Sequence, residues 1–178
     1  MFVDLLRKRR SIRQFEEKPV PGEQVDLIVE AMLRSPSSRD LCPWEFVVVE
    51  NPETIKRLAE AKPHGAGFLK NAPLAVAVCA RESKSDVWVE DCAIAALNIH
   101  LAAADLGLGS CWIQIRKREH DGQLSAEQFV KSQLSLDDDM RVLAIVAIGY
   151  PKEEKPGRDY STLLFDHVSY EKYGNKKD

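Results

Sequence analysis

One turn-and-strand segment organises the chain: Gly107-Leu108-Gly109-Ser110-Cys111-Trp112-Ile113-Gln114. The run before it, residues 92–106 (CAIAALNIHLAAADL), has apolar side chains on every helical face. Such a helix is buried on nearly all sides, either at the centre of a domain or against a second subunit. Glycine is favoured just past a helix end, and the following SCWIQI is typical of a short buried strand. The segment therefore predicts a turn without large side chains that leads to the edge of a strand, where a flat ligand can approach backbone N–H groups.

The composition indicates one globular domain that spans residues 1–178. The chain is long enough to bury a full core, and it is 44% hydrophobic and 30% charged. A net charge of −3 gives no support to a nucleic-acid partner. No apolar run reaches the roughly 20 residues that a membrane span needs, and the N-terminal basic residues follow apolar ones, unlike those of a secretory signal. We therefore expect neither a nucleic-acid nor a membrane partner.

The cysteines indicate a reducing compartment. The four of them are far apart in the chain, with no C-x-x-C pair and no histidine at metal-ligand spacing: Cys42, Cys79, Cys92 and Cys111. We expect reduced thiols that mostly pack in the core of a cytoplasmic protein, without a metal site.

Strands and helices alternate along the chain. Helices are predicted over 2–10, 21–33, 52–61, 86–106 and from 125, and strands over 44–50, 74–80, 110–115 and 141–150. Asn51 is the predicted cap of the third helix, and the Ser-x-x-Gln pattern from Ser125 predicts a capping box for the last. All four strands are apolar throughout, which indicates one sheet covered on both faces. The predicted fold class is an α/β (α+β) three-layer sandwich around a central mixed sheet of about four strands. The tail, residues 152–178, is polar apart from two apolar clusters and must pack on another surface.

Three groups of residues are candidates for ligand binding. Arg9-Arg10-Ser11-Ile12-Arg13 places three guanidinium groups, which form bidentate bonds with phosphate oxygens, where a helix gives way to extended chain. Residues 36–38 (PSS) form a hydroxyl-rich loop, and Lys155 and Arg158 follow the end of the fourth strand. Taken singly, each group is better explained as an ordinary solvated surface or loop.

Their order along the chain is more specific. RRSIR, then PSS and PWEFVVV, then LGLGSCWI, then IGYP with basic residues after it, resembles the FMN-dependent nitroreductase family from Arg9 to about Gly174. The resemblance implies a homodimer with two FMN sites at its interface. Electrons would pass in ping-pong fashion from NADH or NADPH through FMN to nitroaromatic, quinone or related small-molecule acceptors. It also implies that residues 152–178 form an arm that crosses onto the partner subunit and extends its sheet.

The resemblance implies thirteen cofactor-binding residues: Arg9, Arg10, Ser11, Arg13, Pro36, Ser37, Ser38, Asp40, Trp112, Ile113, Gln114, Lys155 and Arg158. Arg9 and Ser11, joined by Lys155 or Arg158, would meet the phosphate and ribityl end of FMN. Arg13 would lie near N1 and O2 of the flavin ring. The loop at 36–38 would come from the other subunit, and residues 112–114 would line the ring with a backbone N–H directed at N5. No residue acts as general acid, base or nucleophile, because the cofactor carries the chemistry.

Two departures from the family pattern concern the ring pocket. Residues 39–42 are Arg-Asp-Leu-Cys where Gly-Asn-Arg-Gln is usual, and Gln114 stands where glycine is usual. An ionised Asp40 cannot donate a hydrogen bond as an amide does, so it accepts from flavin N3–H or faces away. Cys42 has either a packing or a redox role. These changes bear on acceptor choice more than on FMN binding.

Two alternatives to a nitroreductase activity stay open. One is a relative in the same family with other flavin chemistry, such as dehalogenation, desaturation or flavin fragmentation. The other is a flavin-binding module without turnover. A yellow colour that NADH or NADPH bleaches distinguishes an enzyme from a passive binder.

Overall fold

The computed structural model describes residues 1–177, and within them five helices alternate with four strands. The helices are α1 (Phe2–Lys8), α2 (Gly22–Leu33), α3 (Pro52–Leu58), α4 (Trp88–Asp105) and α5 (Ala126–Leu134). The strands are β1 (Trp44–Val49), β2 (Leu74–Arg81), β3 (Gly109–Gln114) and β4 (Met140–Gly149). The predicted caps of α3 and α5 are present, since Asn51 accepts two backbone N–H groups and Ser125 forms a capping box with Gln128.

The four strands form one sheet in the order β1-β2-β4-β3. All three ladders are antiparallel, so the prediction of a mixed sheet is wrong for these strands. Fully apolar strands show that both faces of a sheet are covered, but they do not report strand direction. The only parallel pairing among residues 1–177 is the isolated bridge between Ser11 and Ser110.

Helices cover both faces of this sheet, which confirms the predicted three layers. On one face α2 and α4 pack on alternate strand residues that include Leu74, Val76 and Val146. On the other face α3 and α5 pack on the remaining residues, which include Ala77, Ile113 and Ile145. The side-chain alternation of the strands thus divides the core into two halves.

Helix α4 is the longest helix and runs along the first of these cores. Its buried face includes Cys92, Ala96 and Ile99, while Ile94 is 40% and Leu97 49% exposed. The helix is therefore buried on one side of the single chain and presents apolar side chains on the other. None of the helices described is long and apolar enough to cross a membrane.

The C-terminal segment, residues 152–177, contains two 3-10 turns, Tyr160–Thr162 and Phe165–His167. Its apolar side chains are exposed, and they are Tyr160, Leu163, Leu164, Phe165, Val168, Tyr170 and Tyr173. The chain provides no core for them, as the sequence predicted. A role of this segment as a dimer arm stays a prediction.

The turn between α4 and β3 depends on its two glycines. Gly107 has φ +75, in the left-handed region that glycine occupies without strain. Gly109 lies against Ile12, and a Cβ atom at this glycine would be 2.8 Å from the Cβ atom of Ile12. The missing side chain lets residues 11–12 approach β3, where the Ile12 N–H donates to the Ser110 carbonyl at 3.0 Å.

We expect Gly109→Ala to lower the free energy of unfolding by about 1–3 kcal/mol, because the new methyl group overpacks against Ile12. Gly22→Ala is the control, since a Cβ there meets nothing within 4 Å and its φ is not left-handed. That variant should be neutral or slightly stabilising. Urea unfolding measures both, and equal stabilities would contradict the close approach at Gly109.

Candidate functional site

A cavity of about 1150 Å³ lies between α1, the segment after it and the C-terminal segment. Six of the predicted site residues line it together: Arg9, Arg10, Ser11, Arg13, Lys155 and Arg158. Arg9, Arg13 and Arg158 form no ion pair within residues 1–177. The cavity thus gathers cations that are available to an anionic ligand.

The backbone brings these distant residues together. Helix α1 ends at Lys8, and residues 11–15 then run between β3 and the chain after β4. Ser11 pairs with Ser110, and Phe15 pairs with Pro151. The Lys152 N–H donates to the Gln14 carbonyl at 2.9 Å, which fixes the start of the C-terminal segment beside the basic residues.

Glu153 is a site residue that the sequence analysis missed. Its Oε1 accepts the backbone N–H of Arg13 at 2.6 Å and the Lys155 Nζ at 2.8 Å. These two donors, the Arg13 N–H first, hold the pKa of Glu153 below its usual value. Lys155 also donates to the Ser11 carbonyl at 3.2 Å. The sequence feature that could have indicated Glu153 is the acidic pair between two lysines in residues 152–155 (KEEK). This segment was selected only for its basic residues.

Strand β3 is an edge strand of the sheet. The Ser110 carbonyl points outward to Ile12, whereas the Ile115 N–H points back to Leu143 of β4. Because successive residues direct their backbone groups to opposite edges, the N–H groups of Trp112 and Gln114 point outward, like the groups of Ser110. This geometry supplies a row of backbone donors along the edge of β3 that pairs with Ser11. A hydrogen bond from an N–H near Gln114 to flavin N5 stays a prediction.

The side chains of residues 112–114 have different environments. The Trp112 Nε1 donates to the Gln114 Oε1 at 2.9 Å, and the Gln114 Nε2 donates to the Arg116 carbonyl at 2.9 Å. Ile113 is fully buried in the core on the opposite face, because strand side chains alternate. By the same alternation its backbone N–H and C=O point toward β4, so neither the side chain nor the backbone polar groups of Ile113 face the open edge of β3.

A second group that the sequence analysis missed lies near Arg13. The Arg13 Cζ lies 5.9 Å from the centroid of the Phe68 ring. Phe68 belongs to residues 62–71, which have no periodic pattern, so only the folded chain brings its ring to Arg13.

The loop that carries Pro36, Ser37, Ser38 and Asp40 does not line the cavity. The Ser38 N–H donates to Asp91 in the first turns of α4, whereas the cavity lies beside Ser110 and the other end of α4. Asp91 and His100, which bonds Ser110, are nine residues apart, about 14 Å along the helix axis. The single chain thus divides the predicted site residues into two separate groups.

The loop has an unusual backbone. Arg39, Asp40 and Cys42 have φ values of 54, 55 and 45, in the left-handed region. Each such residue costs on the order of 1–3 kcal/mol and persists only where its surroundings hold it. The Cys42 N–H donates to the Ser37 Oγ at 2.8 Å, which closes the loop. Cys42 is half-buried, and the other three cysteines are buried free thiols, as predicted.

The sequence model of the nitroreductase family matches residues 6–64 and 60–150, which is most of the chain. The chain belongs to the nitroreductase family. It is an oxidoreductase of this family, similar to a Methanothermobacter thermautotrophicus protein whose name assigns it provisionally as an NADH dehydrogenase/NAD(P)H nitroreductase. The two are 35% identical over 167 residues, which are 92% of this chain and 82% of the relative.

Solved structures agree with this family membership. An FMN-dependent nitroreductase from Clostridium difficile R20291 superimposes with a TM-score of 0.95 at 41% identity. The match covers 96% of this nitroreductase-family chain and 99% of the other chain. A shorter match, 42% identical over 59 residues, is to rat iodotyrosine deiodinase 1 and covers 33% of this chain and 21% of the deiodinase.

His100 is a further residue that the sequence analysis did not connect with the site. Its Nδ1 lies 2.7 Å from the Ser110 Oγ, and its ring stacks on Trp112 with centroids 6.4 Å apart. Burial lowers the pKa of His100 to about 4, and the charge of Arg9 adds to the effect. The imidazole is therefore neutral at neutral pH and supports β3 by packing and hydrogen bonding.

This depressed pKa predicts a pH dependence of stability. Between the usual histidine pKa and about 4 the unfolded chain binds a proton that the folded chain does not, so acid weakens the fold in this window. Wild type should lose about 2–3 kcal/mol more than His100→Gln on acidification from about pH 7 to about pH 4.5. Urea unfolding at both pH values measures this difference, and equal losses would show that His100 does not resist protonation.

Proposed function

We propose that this chain is an FMN-dependent oxidoreductase that carries electrons from NADH or NADPH to nitroaromatic, quinone or related acceptors in a ping-pong reaction. The cationic cavity beside the open edge of β3 carries the proposal, since a phosphate and a flat ring need these two kinds of donor. Bound FMN would supply the electron-transfer chemistry. The FMN-dependent nitroreductase from Clostridium difficile adds support through its likeness over nearly the whole chain.

The arginines and Lys155 fit the phosphate end of FMN. Arg9 is half-buried in the cavity wall, next to Ser11 and Arg10. Arg158 lines the opposite wall in the C-terminal segment. Guanidinium groups hold phosphate oxygens in bidentate geometry, and the Ser11 hydroxyl adds a neutral donor toward the ribityl chain.

Arg13 and the edge of β3 fit the ring end. The Arg13 guanidinium would lie near N1 and O2, where a cation stabilises negative charge on the ring. The outward N–H groups of Trp112 and Gln114 would bind and orient the ring edge that includes N5. In this arrangement the protein binds, orients and supplies an electrostatic field, and no side chain transfers a proton.

A homodimer completes the proposed site. The 36–38 loop is separate from the cavity of its own chain, so a second copy would bring it to the ring together with Asp40. Exposed apolar side chains support such an interface: Phe2, Val3 and Leu6 on α1, Leu27 and Leu33 on α2, and Ile94 and Leu97 on α4. The exposed apolar residues of the C-terminal segment provide the contact that a crossing arm would use.

Reductive dehalogenation is a second candidate, favoured by the partial match to iodotyrosine deiodinase 1. The same FMN site would serve it, so acceptor choice would depend on the pocket above the ring. The side chains of Gln114 and Asp40 differ from the family pattern in this pocket. An anaerobic screen with nitroaromatics, quinones and halotyrosines distinguishes the two activities by the acceptor that is turned over.

Purified protein should bind FMN, sediment as a dimer and show flavin absorbance that anaerobic NADH or NADPH bleaches. Addition of an acceptor should restore the absorbance, because a ping-pong enzyme releases the first product before the second substrate binds. Flavin that binds without bleaching would support a passive binding module. A protein that takes up no FMN would refute the proposal, and a flavin-loaded monomer would refute the shared site.

Replacement of Arg9 by Ala should weaken FMN binding about tenfold to hundredfold, the loss expected for one charge-assisted hydrogen bond to phosphate. Arg57→Ala is the charge-matched control, since Arg57 is exposed on α3 and does not line the cavity. Fluorescence titration with FMN gives both dissociation constants. Equal constants in the two variants would place the phosphate elsewhere.

A further inference from the structure

We propose that Asp91 is a positioning residue that holds the loop of residues 35–42 for the flavin ring. The proposal rests on the proposed function, in which Ser37 and Ser38 of this loop contact the FMN of the partner subunit. Asp91 lies on α4 and would not touch the cofactor. It would act through the backbone of Ser38.

Both carboxylate oxygens of Asp91 are used. The Oδ1 atom accepts the Ser38 N–H at 2.8 Å, and the Oδ2 atom accepts the Ser85 hydroxyl at 3.1 Å. The side chain is only 3% exposed, and no Lys or Arg within residues 1–177 pairs with it. A carboxylate is costly to bury unless donors satisfy it, and Asp91 sits near the N-terminus of α4, where the helix dipole favours negative charge. The residue thus serves as an anchor for neutral donors rather than as part of an ion pair.

A second contact holds the start of the same loop. The Asn98 Nδ2 donates to the Oγ of buried Ser35 at 2.9 Å. Asn98 follows Asp91 by seven residues, two helical turns, so both side chains project from the same face of α4. One helix face therefore holds the loop at Ser35 and again at Ser38.

The residues directly after Ser38 explain why the loop needs this support. Arg39, Asp40 and Cys42 have left-handed backbone angles, which residues other than glycine rarely adopt. Such conformations persist where the surroundings over-determine them. The Asp91–Ser38 bond fixes the chain immediately before this stretch, and the Cys42 N–H bond to the Ser37 Oγ closes it. Loss of the acceptor for the Ser38 N–H should let the loop relax and move Ser37 and Ser38 away from the ring.

Asp91→Ala and Asp91→Asn separate this role from simple packing. Asparagine keeps an oxygen that accepts the Ser38 N–H and an amide that donates to Ser85, and it loses only the charge, so Asp91→Asn should stay much closer to wild type than Asp91→Ala does. Asp91→Ala should raise amide hydrogen exchange at residues 39–42 and the FMN dissociation constant, each by about tenfold or more, the factor for one lost charge-assisted hydrogen bond. Asp105→Ala, at the exposed end of the same helix, should change neither.

Variants at Ser38 test the same bond from the other side and do not require that Asp91→Ala folds. Ser38→Pro removes the N–H, and extended Ser37 (φ −137, ψ 159) has the conformation that a residue before proline adopts. Ser38→Ala keeps the N–H and removes only the hydroxyl. Relative to Ser38→Ala, the Ser38→Pro variant should therefore show the same increases in amide exchange and in the FMN dissociation constant as Asp91→Ala. In a chain that already carries Asp91→Ala, Ser38→Pro should change these two quantities little further.

The two measurements distinguish the possible failures. Exchange at residues 39–42 that is unchanged in Asp91→Ala and in Ser38→Pro would overturn the holding role, whether or not FMN binds. Faster exchange with an unchanged FMN dissociation constant would overturn the role toward the ring and leave the proposed function intact. A wild-type chain that binds no FMN would overturn the proposed function and, with it, the role toward the ring.

Discussion

The site depends on one close backbone approach, the pairing of Ser11 with Ser110 beside Gly109. A side chain at Gly109 would meet Ile12, so the two segments come together because glycine has no Cβ atom. The pairing places the basic segment next to the edge of β3. Glu153 then holds the C-terminal segment to the same place through the Arg13 N–H. Arg9, Arg10 and Arg13 flank the first contact, and Lys155 is held by the second.

Helix α4 contacts both groups of predicted site residues, one near each of its ends. Near its C-terminus His100 supports Ser110 and Trp112, and near its N-terminus Asp91 and Asn98 hold the 35–42 loop. A packed helix of 18 residues is a rigid element, so it fixes the separation of the two groups of site residues. The same rigidity keeps the loop away from the cavity of its own chain. In the proposed site, which needs both groups, the loop would therefore come from a second chain.

The cavity contains more basic than acidic side chains. Four arginines of the cavity have no acidic partner in the part of the chain that the structure describes: Arg9, Arg10, Arg13 and Arg158. Lys155, in contrast, pairs with Glu153. Glu153 accepts hydrogen bonds from the backbone N–H of Arg13 and from Lys155. It therefore orients the segment and leaves the guanidinium groups of the cavity without an ion pair. Other ion pairs lie outside the cavity, for example that of Arg81 with Asp139 and that of Arg141 with Glu127 of α5. The cavity therefore holds four arginines without an acidic partner close together, where an anion can bind them.

The sequence by itself determined the strands, the helices, the caps, the three layers and the basic character of RRSIR, because these depend on local periodicity and on residue type. The family order of the motifs also identified which cations belong together. Strand direction was not determined, since a strand that is apolar on both faces looks the same in parallel and antiparallel sheets. Only the tertiary structure revealed the roles of Glu153, Asp91 and His100. The partner of each residue is distant in the sequence, and only the fold brings the two within hydrogen-bond distance. No local sequence pattern predicts such a contact.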